Sequence, residues 1–189
     1  EVPYVYRTTS LAIYDKNLRA LARKVRATAI LAHLRGVAYD TRAIISEQNL
    51  HPFLFEGAYL ALAHNGQLAR FEEMKFSLLP YIRPDLARLV RGTTDSEWIY
   101  ALVASQLVDP YANHAAQDLA AAVASALRVL RKVREEHGIR TFSPTIIAAS
   151  ATFSSTNTRI PMSHSTCGCG SWRKAARISA ASAMTISRS

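Results

Sequence analysis

The chain has 189 residues, of which 49% are apolar and 20% charged, close to the average usage of soluble globular domains. This composition excludes collagen-like, wholly disordered and disulfide-scaffold proteins, and since no run of about 18 apolar residues occurs, no membrane-spanning helix is expected. The net charge is +9, of which residues 1–144 carry only +4.

The first half of the chain alternates apolar segments with turn signals. The spacing of leucine, alanine and valine predicts an amphipathic helix over 16–26, and the compact apolar run 27–34 predicts a buried strand. Residues 36–48 lack periodicity and are interpreted as a loop. A second strand is predicted at 59–63. It ends at Asn65-Gly66, a dipeptide that favours tight turns because both residues tolerate positive φ.

The rest of the body, over residues 67–144, is predominantly helical. Thr94 and Glu97 have the spacing of a capping box, which predicts a helix start with Asp95 in the first turn. A returning strand is predicted over 141–148. Helices are predicted over the ranges 67–79, 84–90, 98–107 and 115–137. Together, helices and short strands indicate an α+β architecture, with residues 1–144 as one folded domain.

The C-terminal segment 145–189 differs in kind from the body. It contains 16 serine and threonine residues, five basic residues and no acidic one, and it shows neither helical nor strand periodicity. Two interpretations remain open: a disordered polar tail, or a frame error in the source sequence. Apart from Trp172, no aromatic residue is interleaved with the basic ones. Any binding of nucleic acid would be weak and lost with salt, so no such partner is expected.

Both cysteines of the sequence, Cys167 and Cys169, lie in this segment. Together with His164 they lack the paired spacing of a metal site, so neither a metal nor another cofactor is predicted. A cysteine-free body needs no oxidising compartment, and residues 1–6 show no signal-peptide pattern. These features predict a cytoplasmic protein without membrane association.

Three groups of motifs stand out in the body. They are AHLR at 32–35, NLHPF at 49–53 together with HNGQ at 64–67, and GTTDSE at 92–97. Each alone has a structural interpretation, such as a hairpin turn or an acidic first helical turn. Their order and spacing, however, resemble the class-II glutamine amidotransferase domain, an N-terminal-nucleophile hydrolase. The likeness is closest to small stand-alone bacterial members and covers about residues 4–144.

The resemblance implies a four-layer αββα sandwich, here incomplete at its N-terminus, and it implies roles for five residues. Arg35 would hold the α-carboxylate of a glutaminyl substrate, since a guanidinium fork makes two parallel charged hydrogen bonds. Asp95 would pair with the α-ammonium group, and His64 is grouped with these substrate-binding residues. Asn65 and Gly66 would form the oxyanion hole, donating from a side-chain amide and a backbone N–H.

The nucleophile that the resemblance implies is a cysteine at the mature N-terminus, whose free α-amino group serves as the base. The chain begins with Glu1-Val2-Pro3 and contains no cysteine before position 167. Arg35 also lies nearer the start than the family pattern implies. We therefore expect an N-terminal truncation, with substrate-binding residues present and catalysis absent.

The leading functional hypothesis is a hydrolase of glutamine or a γ-glutamyl amide that acts through a cysteinyl thioester. Since no synthase domain follows, hydrolysis is favoured over ammonia transfer, although a separate synthase partner or a homo-oligomer stays open. The alternative is a non-catalytic ligand-binding or subunit module derived from the same fold. Loss of the nucleophile favours this second hypothesis.

Overall fold

The computed structural model describes residues 4–26, 29–37, 45–139, 144–145 and 179–187, and it describes the backbone alone for 29, 35–37, 144–145 and 179–187. Both helices and strands occur, so the predicted α+β class is confirmed. The helices are α1 (Lys16–Lys24), α2 (Phe71–Met74), α3 (Pro84–Ala87), α4 (Asp95–Ser105) and α5 (Ala116–Glu136). The strands are β1 (Tyr4–Thr8), β2 (Ala29–Val37), β3 (Asn65–Gly66), β4 (Pro144–Thr145) and β5 (Ser179–Ser187).

Strands β1, β5 and β2 form an antiparallel sheet in that order, and β3 pairs with β4 in a second, two-stranded sheet. The strand predicted at 27–34 is confirmed as β2, which extends to Val37 and so into the predicted loop 36–48, but its predicted burial is wrong. Ile30 and Leu34 are 44% and 62% exposed, whereas the alternate positions Leu31 and His33 are half-buried. One face of β2 therefore packs toward the body and the other is open among the described residues.

Strand β5 lies in the segment 145–189, where no element was predicted. Its nine residues sit between β1 and β2, although serine and alanine dominate their sequence. The hydrogen bonds of a sheet join backbone groups, which every residue except proline supplies, so a strand can form without an alternating apolar pattern. Apart from Thr145 of β4, the other residues of this segment lie outside those described. Of the strand predicted at 141–148, the structure describes only 144–145, which form β4.

Helix α1 confirms the helix predicted at 16–26, and it begins where a side chain can satisfy its free N–H groups. Oδ1 of Asp15 accepts from the backbone N–H groups of Asn17 and Leu18 at 2.9 and 3.0 Å. Oδ2 of the same carboxylate accepts from the Tyr6 hydroxyl at 2.8 Å. Asp15 thus caps α1 and ties it to β1.

The strand predicted at 59–63 is wrong. Only one isolated bridge involves this segment, between Phe53 and Leu62, although residues 60–63 are buried. The turn predicted at Asn65-Gly66 is also wrong, because these residues pair with 144–145 as β3. Gly66 has a φ of 135°, which residues with a Cβ atom rarely adopt. It adopts this conformation within the short strand pairing and not in a hairpin turn.

The helices predicted at 67–79 and 84–90 are shorter in the structure. Helix α2 begins only after Arg70, which has a left-handed φ of 52°, and a 3-10 helix continues from Lys75–Tyr81. Pro80 lies within this 3-10 segment and cannot donate a backbone hydrogen bond. Pro84 occupies the first turn of α3, the one helical position that proline favours.

Helix α4 is the centre of the core, and α3, α5 and the 3-10 helix pack around it. Thr94 caps it, accepting from the Glu97 N–H at 3.4 Å, so the start at Asp95 is confirmed. Helix α5 confirms the prediction at 115–137. It turns Leu119, Leu130 and other apolar residues inward. Among the described residues, none of the helices combines the length and apolarity needed to cross a bilayer.

Candidate functional site

Strand β2 brings His33 to the exposed Asn65 of β3. The Nε2 atom of the His33 imidazole lies 2.8 Å from Oδ1 of the Asn65 side chain. Two of the motifs identified in the sequence, AHLR and HNGQ, therefore meet in space although 32 positions separate these residues.

A chain of hydrogen bonds then runs from His64 to the N-terminus of α4. Nδ1 of the buried His64 lies 2.9 Å from the Ser96 hydroxyl, which in turn donates to Oδ1 of Asp95 at 3.2 Å. Since His64 directly precedes Asn65, this chain joins the HNGQ motif to GTTDSE. The structure therefore brings Asn65, Gly66, His64 and Asp95 into one neighbourhood.

The Asp95 carboxylate is anchored but not saturated. Its Oδ2 atom accepts from the backbone N–H of Leu68 at 2.6 Å, and the side chain is half-buried. A carboxylate offers about four acceptor positions, and these contacts occupy two. Asp95 thus keeps acceptor capacity for a cation while being held in a fixed orientation.

A second set of hydrogen bonds fixes the loop before α4. The Asn49 side chain accepts from the Thr93 N–H at 2.8 Å and donates to the Thr93 hydroxyl at 3.1 Å. The buried Glu97 carboxylate accepts from the N–H groups of Arg91 and Gly92 at 2.9 and 2.6 Å. The predicted capping box is therefore only half formed, since Glu97 reaches this loop instead of the Thr94 N–H.

Burial shifts the titration of two of these groups. It lowers the pKa of His64, an effect that the nearby Asp95 carboxylate opposes, so the neutral imidazole is favoured. Burial raises the pKa of Glu97, although the two backbone N–H groups that it accepts from favour its charged form. Nε2 of His64 is buried without a hydrogen-bond partner among the described residues, which agrees with an uncharged ring.

The ring of His33 packs against another aromatic ring. Its ring lies 4.1 Å from the ring of the buried His51, which packs edge-on against Phe53 at 4.7 Å. The peptide bond between His51 and Pro52 is cis, and the Pro52 carbonyl accepts from the Arg7 guanidinium at 2.7 Å. The NLHPF motif thus packs against the His33 ring through His51, which in turn contacts Phe53.

Arg35 lies on β2, two positions after His33, so backbone alternation puts both positions on one face of the sheet. The side chain of Arg35 lies outside those described. Sequence reasoning gave no role to Ser96, Asn49 or His33, although each stands inside one of the motifs. Their contacts cross between motifs, and a linear pattern does not reveal which motifs touch.

The arrangement suits recognition of a polar organic ligand. It presents a fixed carboxylate at Asp95 and a side-chain amide at Asn65, next to Gly66. No group of three or more potential metal-ligating side chains occurs within the described parts of the chain. The Asp95 carboxylate accepts from an ammonium or N–H group, and the Asn65 amide can donate to a carbonyl or carboxylate oxygen, so these groups can recognise such a ligand through hydrogen bonds and charge.

Comparison with known proteins gives two matches. The profile of the family described as "Glutamine amidotransferases class-II" matches residues 12–145. A Saccharomyces cerevisiae protein named "Probable glutamine amidotransferase DUG3" is 33% identical over 100 residues, which cover 53% of this chain and 27% of the yeast protein. The chain thus matches about a quarter of that relative's length. No solved structure matches the chain significantly.

Proposed function

Because the chain belongs to the class-II glutamine amidotransferase family, we propose that residues 1–144 bind glutamine or a γ-glutamyl amide and stabilise the intermediate of its hydrolysis. The observation that carries this proposal is the hydrogen-bonded chain from His64 through Ser96 to Asp95. It holds a carboxylate close to the Asn65-Gly66 pair, as recognition of an amino acid and its side-chain amide together requires.

The α-amino acid end of the ligand carries two opposite charges. In this proposal Asp95 accepts from the α-ammonium group, and Arg35 of β2 pairs with the α-carboxylate as a bidentate donor. His64 contributes by orienting Asp95 through Ser96. Reading both charges restricts the ligand to compounds with a free α-amino acid head, which glutamine and γ-glutamyl amides share.

The γ-carbonyl oxygen would accept from the Asn65 amide and the Gly66 N–H. These donors gain most when the oxygen becomes an oxyanion, and each is typically worth about 3 kcal/mol of barrier. Asn65 is exposed, so an incoming ligand can reach its amide. The family's αββα layering would cover such a site between two sheets.

We assign the nucleophilic step to a cysteine outside these residues, because positions 1–166 contain none. A free N-terminal cysteine would attack the amide carbonyl, release ammonia or an amine, and form a thioester that water hydrolyses. Cys167 and Cys169 are interior to the chain and have no free α-amino group to act as the base. Residues 1–189 alone are therefore proposed to bind ligand without turning it over. As a separate part of the proposal, the protein acts in the cytoplasm.

The second candidate, a ligand-binding or subunit module, is favoured by the same lack of a cysteine in the body. The two candidates share the binding site and differ in turnover. Joining an N-terminal cysteine-bearing segment of a family member to this body restores glutamine hydrolysis under the first candidate. Under the second, the joined protein binds glutamine but releases no ammonia.

Binding tests the site directly. We expect L-glutamine to bind the chain in an NMR titration, and Asp95→Asn to weaken it at least about tenfold, since a charge-assisted hydrogen bond is lost. Nα-acetyl-L-glutamine, which lacks the ammonium charge, should bind both proteins equally weakly. The matched control is Asp118→Asn, an exposed first-turn acid of α5. Equal affinity of Asp95→Asn and the unmodified chain for L-glutamine would contradict the assignment.

A further inference from the structure

The orientation of the Asn65 amide matters to the proposed site, and Asn65 cannot fix it alone. Rotation about the last side-chain bond of asparagine is broad and roughly two-fold, so the carbonyl and the amino group can exchange places. With the carbonyl turned to the ligand, two oxygens would repel each other. A useful donor therefore needs a partner that accepts only one of the two orientations.

We propose that His33 is the positioning residue of Asn65: its Nε2–H donates to Oδ1 and so turns the Asn65 amide nitrogen toward the ligand. This inference rests on the proposed function of the site. The 2.8 Å separation between these atoms is the contact that the structure gives the Asn65 side chain among the described residues. Because Oδ1 only accepts, the imidazole must carry its hydrogen on Nε2.

His33 is built to act in this way because its own ring is held. It lies on β2, is half-buried, and rests against the ring of His51, which is itself buried and packed against Phe53. A donor whose position is fixed before the ligand arrives needs no reorganisation when charge develops. The orientation of the exposed Asn65 side chain is thereby set by a residue of the nine-residue strand β2, because its own strand β3 has only two residues.

Two variants separate the donor from the ring. His33→Phe keeps an aromatic ring on His51 and removes the donor, whereas His33→Gln removes the ring and can place an amide N–H near the position of Nε2. If His33 positions Asn65, His33→Phe should weaken L-glutamine binding by about threefold to tenfold, the range of one hydrogen bond. His33→Gln should stay within about twofold of the unmodified chain. A purely packing role predicts the reverse order, which would overturn the inference.

A second ligand locates the effect. L-norvaline has the same α-amino and α-carboxylate groups as glutamine but no side-chain amide, so it cannot accept a hydrogen bond from Asn65. Its affinity should not change in His33→Phe, and His33→Phe should have no effect on glutamine binding in the Asn65→Ala background. An equal loss for both ligands would overturn the inference, because it would reflect general damage to the site.

The hydrogen bond itself is measured without any variant. In ¹⁵N NMR of the unmodified chain, His33 should be the tautomer protonated at Nε2, with a coupling or shift that identifies the Asn65 acceptor. A His33 protonated at Nδ1 would overturn the inference, whether or not glutamine binds. Failure of the unmodified chain to bind glutamine, with the Nε2 tautomer present, would instead contradict only the proposed function.

Discussion

Gly92 lies against Asn49 so closely that a Cβ atom built on it would come within 2.5 Å of the Asn49 Oδ1 atom. The same Cβ would lie 2.8 Å from both the Gln48 carbonyl oxygen and Oε2 of Glu97. Of these oxygens, Oδ1 of Asn49 accepts from the Thr93 N–H and Oε2 of Glu97 accepts from the Gly92 N–H, and both contacts hold the loop before α4. The absence of a side chain at Gly92 is therefore a condition for the position of Asp95.

Gly92→Ala should consequently lower both stability and ligand affinity. We expect the free energy of unfolding in urea to fall by about 1–3 kcal/mol, as for other substitutions that overfill a packed site. Glutamine binding should weaken as well, because displacement of the loop moves the start of α4.

Gly138→Ala is the matched control for this variant. Gly138 has a φ of 65° and open space around the position of a Cβ, so its substitution costs backbone strain of about 1–2 kcal/mol without a collision. Its glutamine affinity should equal that of the unmodified chain. Unchanged affinity in Gly92→Ala would contradict the role given to the loop.

Tyr100 makes a buried polar contact that Tyr100→Phe would remove. Its hydroxyl donates to the Leu60 carbonyl at 2.7 Å and accepts from the Phe55 N–H at 3.2 Å. Burial raises the pKa of Tyr100 to about 12, so the hydroxyl stays a donor at neutral pH. We expect Tyr100→Phe to cost about 1–3 kcal/mol of unfolding free energy, because two buried backbone groups lose their partner.

The control is Tyr14→Phe. Tyr14 is 72% exposed, so loss of its hydroxyl should change the unfolding free energy by less than about 0.5 kcal/mol. Similar costs for the two substitutions in urea denaturation would mean that the contacts of Tyr100 do not stabilise the core.

His64 should make stability depend on pH. Its pKa is lowered from 6.5 in the folded chain by burial, so below that value the unfolded chain takes up a proton that the folded chain does not. Stability is therefore expected to fall as the pH drops from about 6.5 toward the folded pKa. The slope from this group is at most about 1.4 kcal/mol per pH unit.

His64→Asn tests this dependence, because asparagine can still contact the Ser96 hydroxyl but does not titrate. Urea unfolding at a series of pH values should give a flatter curve for the variant just below pH 6.5. Parallel curves for the two proteins would show that other groups cause the loss of stability.

The helices were predictable because their signals are local. The cap at Thr94 and the apolar stripe of α5 are set by residues close together in the sequence. Helix α5 begins one residue from its predicted start, and α4 begins at Asp95, directly after the predicted cap but three residues before the predicted range 98–107. The Asn65-Gly66 turn failed for the opposite reason. Its local preference is strong, but pairing with the distant residues 144–145 decides its conformation.

The candidate site divides in the same way. Residue types and spacing singled out Asn65, Gly66 and Asp95, because the family's motifs are short and contiguous. The connections among them were not predictable, since His33 reaches Asn65 from another strand and Ser96 joins Asp95 to His64. Sequence alone carries the parts of such a site, while tertiary packing decides which parts touch.

The hydrogen bond from Leu68 to Asp95 has a thermodynamic consequence. It joins two segments of chain that meet only when the core has formed, so the site around Asp95 does not exist in the unfolded state. A ligand that occupies this site must then raise the melting temperature, because it adds a free energy of unfolding that grows with the logarithm of ligand concentration. At a ligand concentration of a hundred times the dissociation constant, this added free energy is about 2.7 kcal/mol. A library of γ-glutamyl compounds could therefore be ranked by the shift in melting temperature that each causes, with no turnover required.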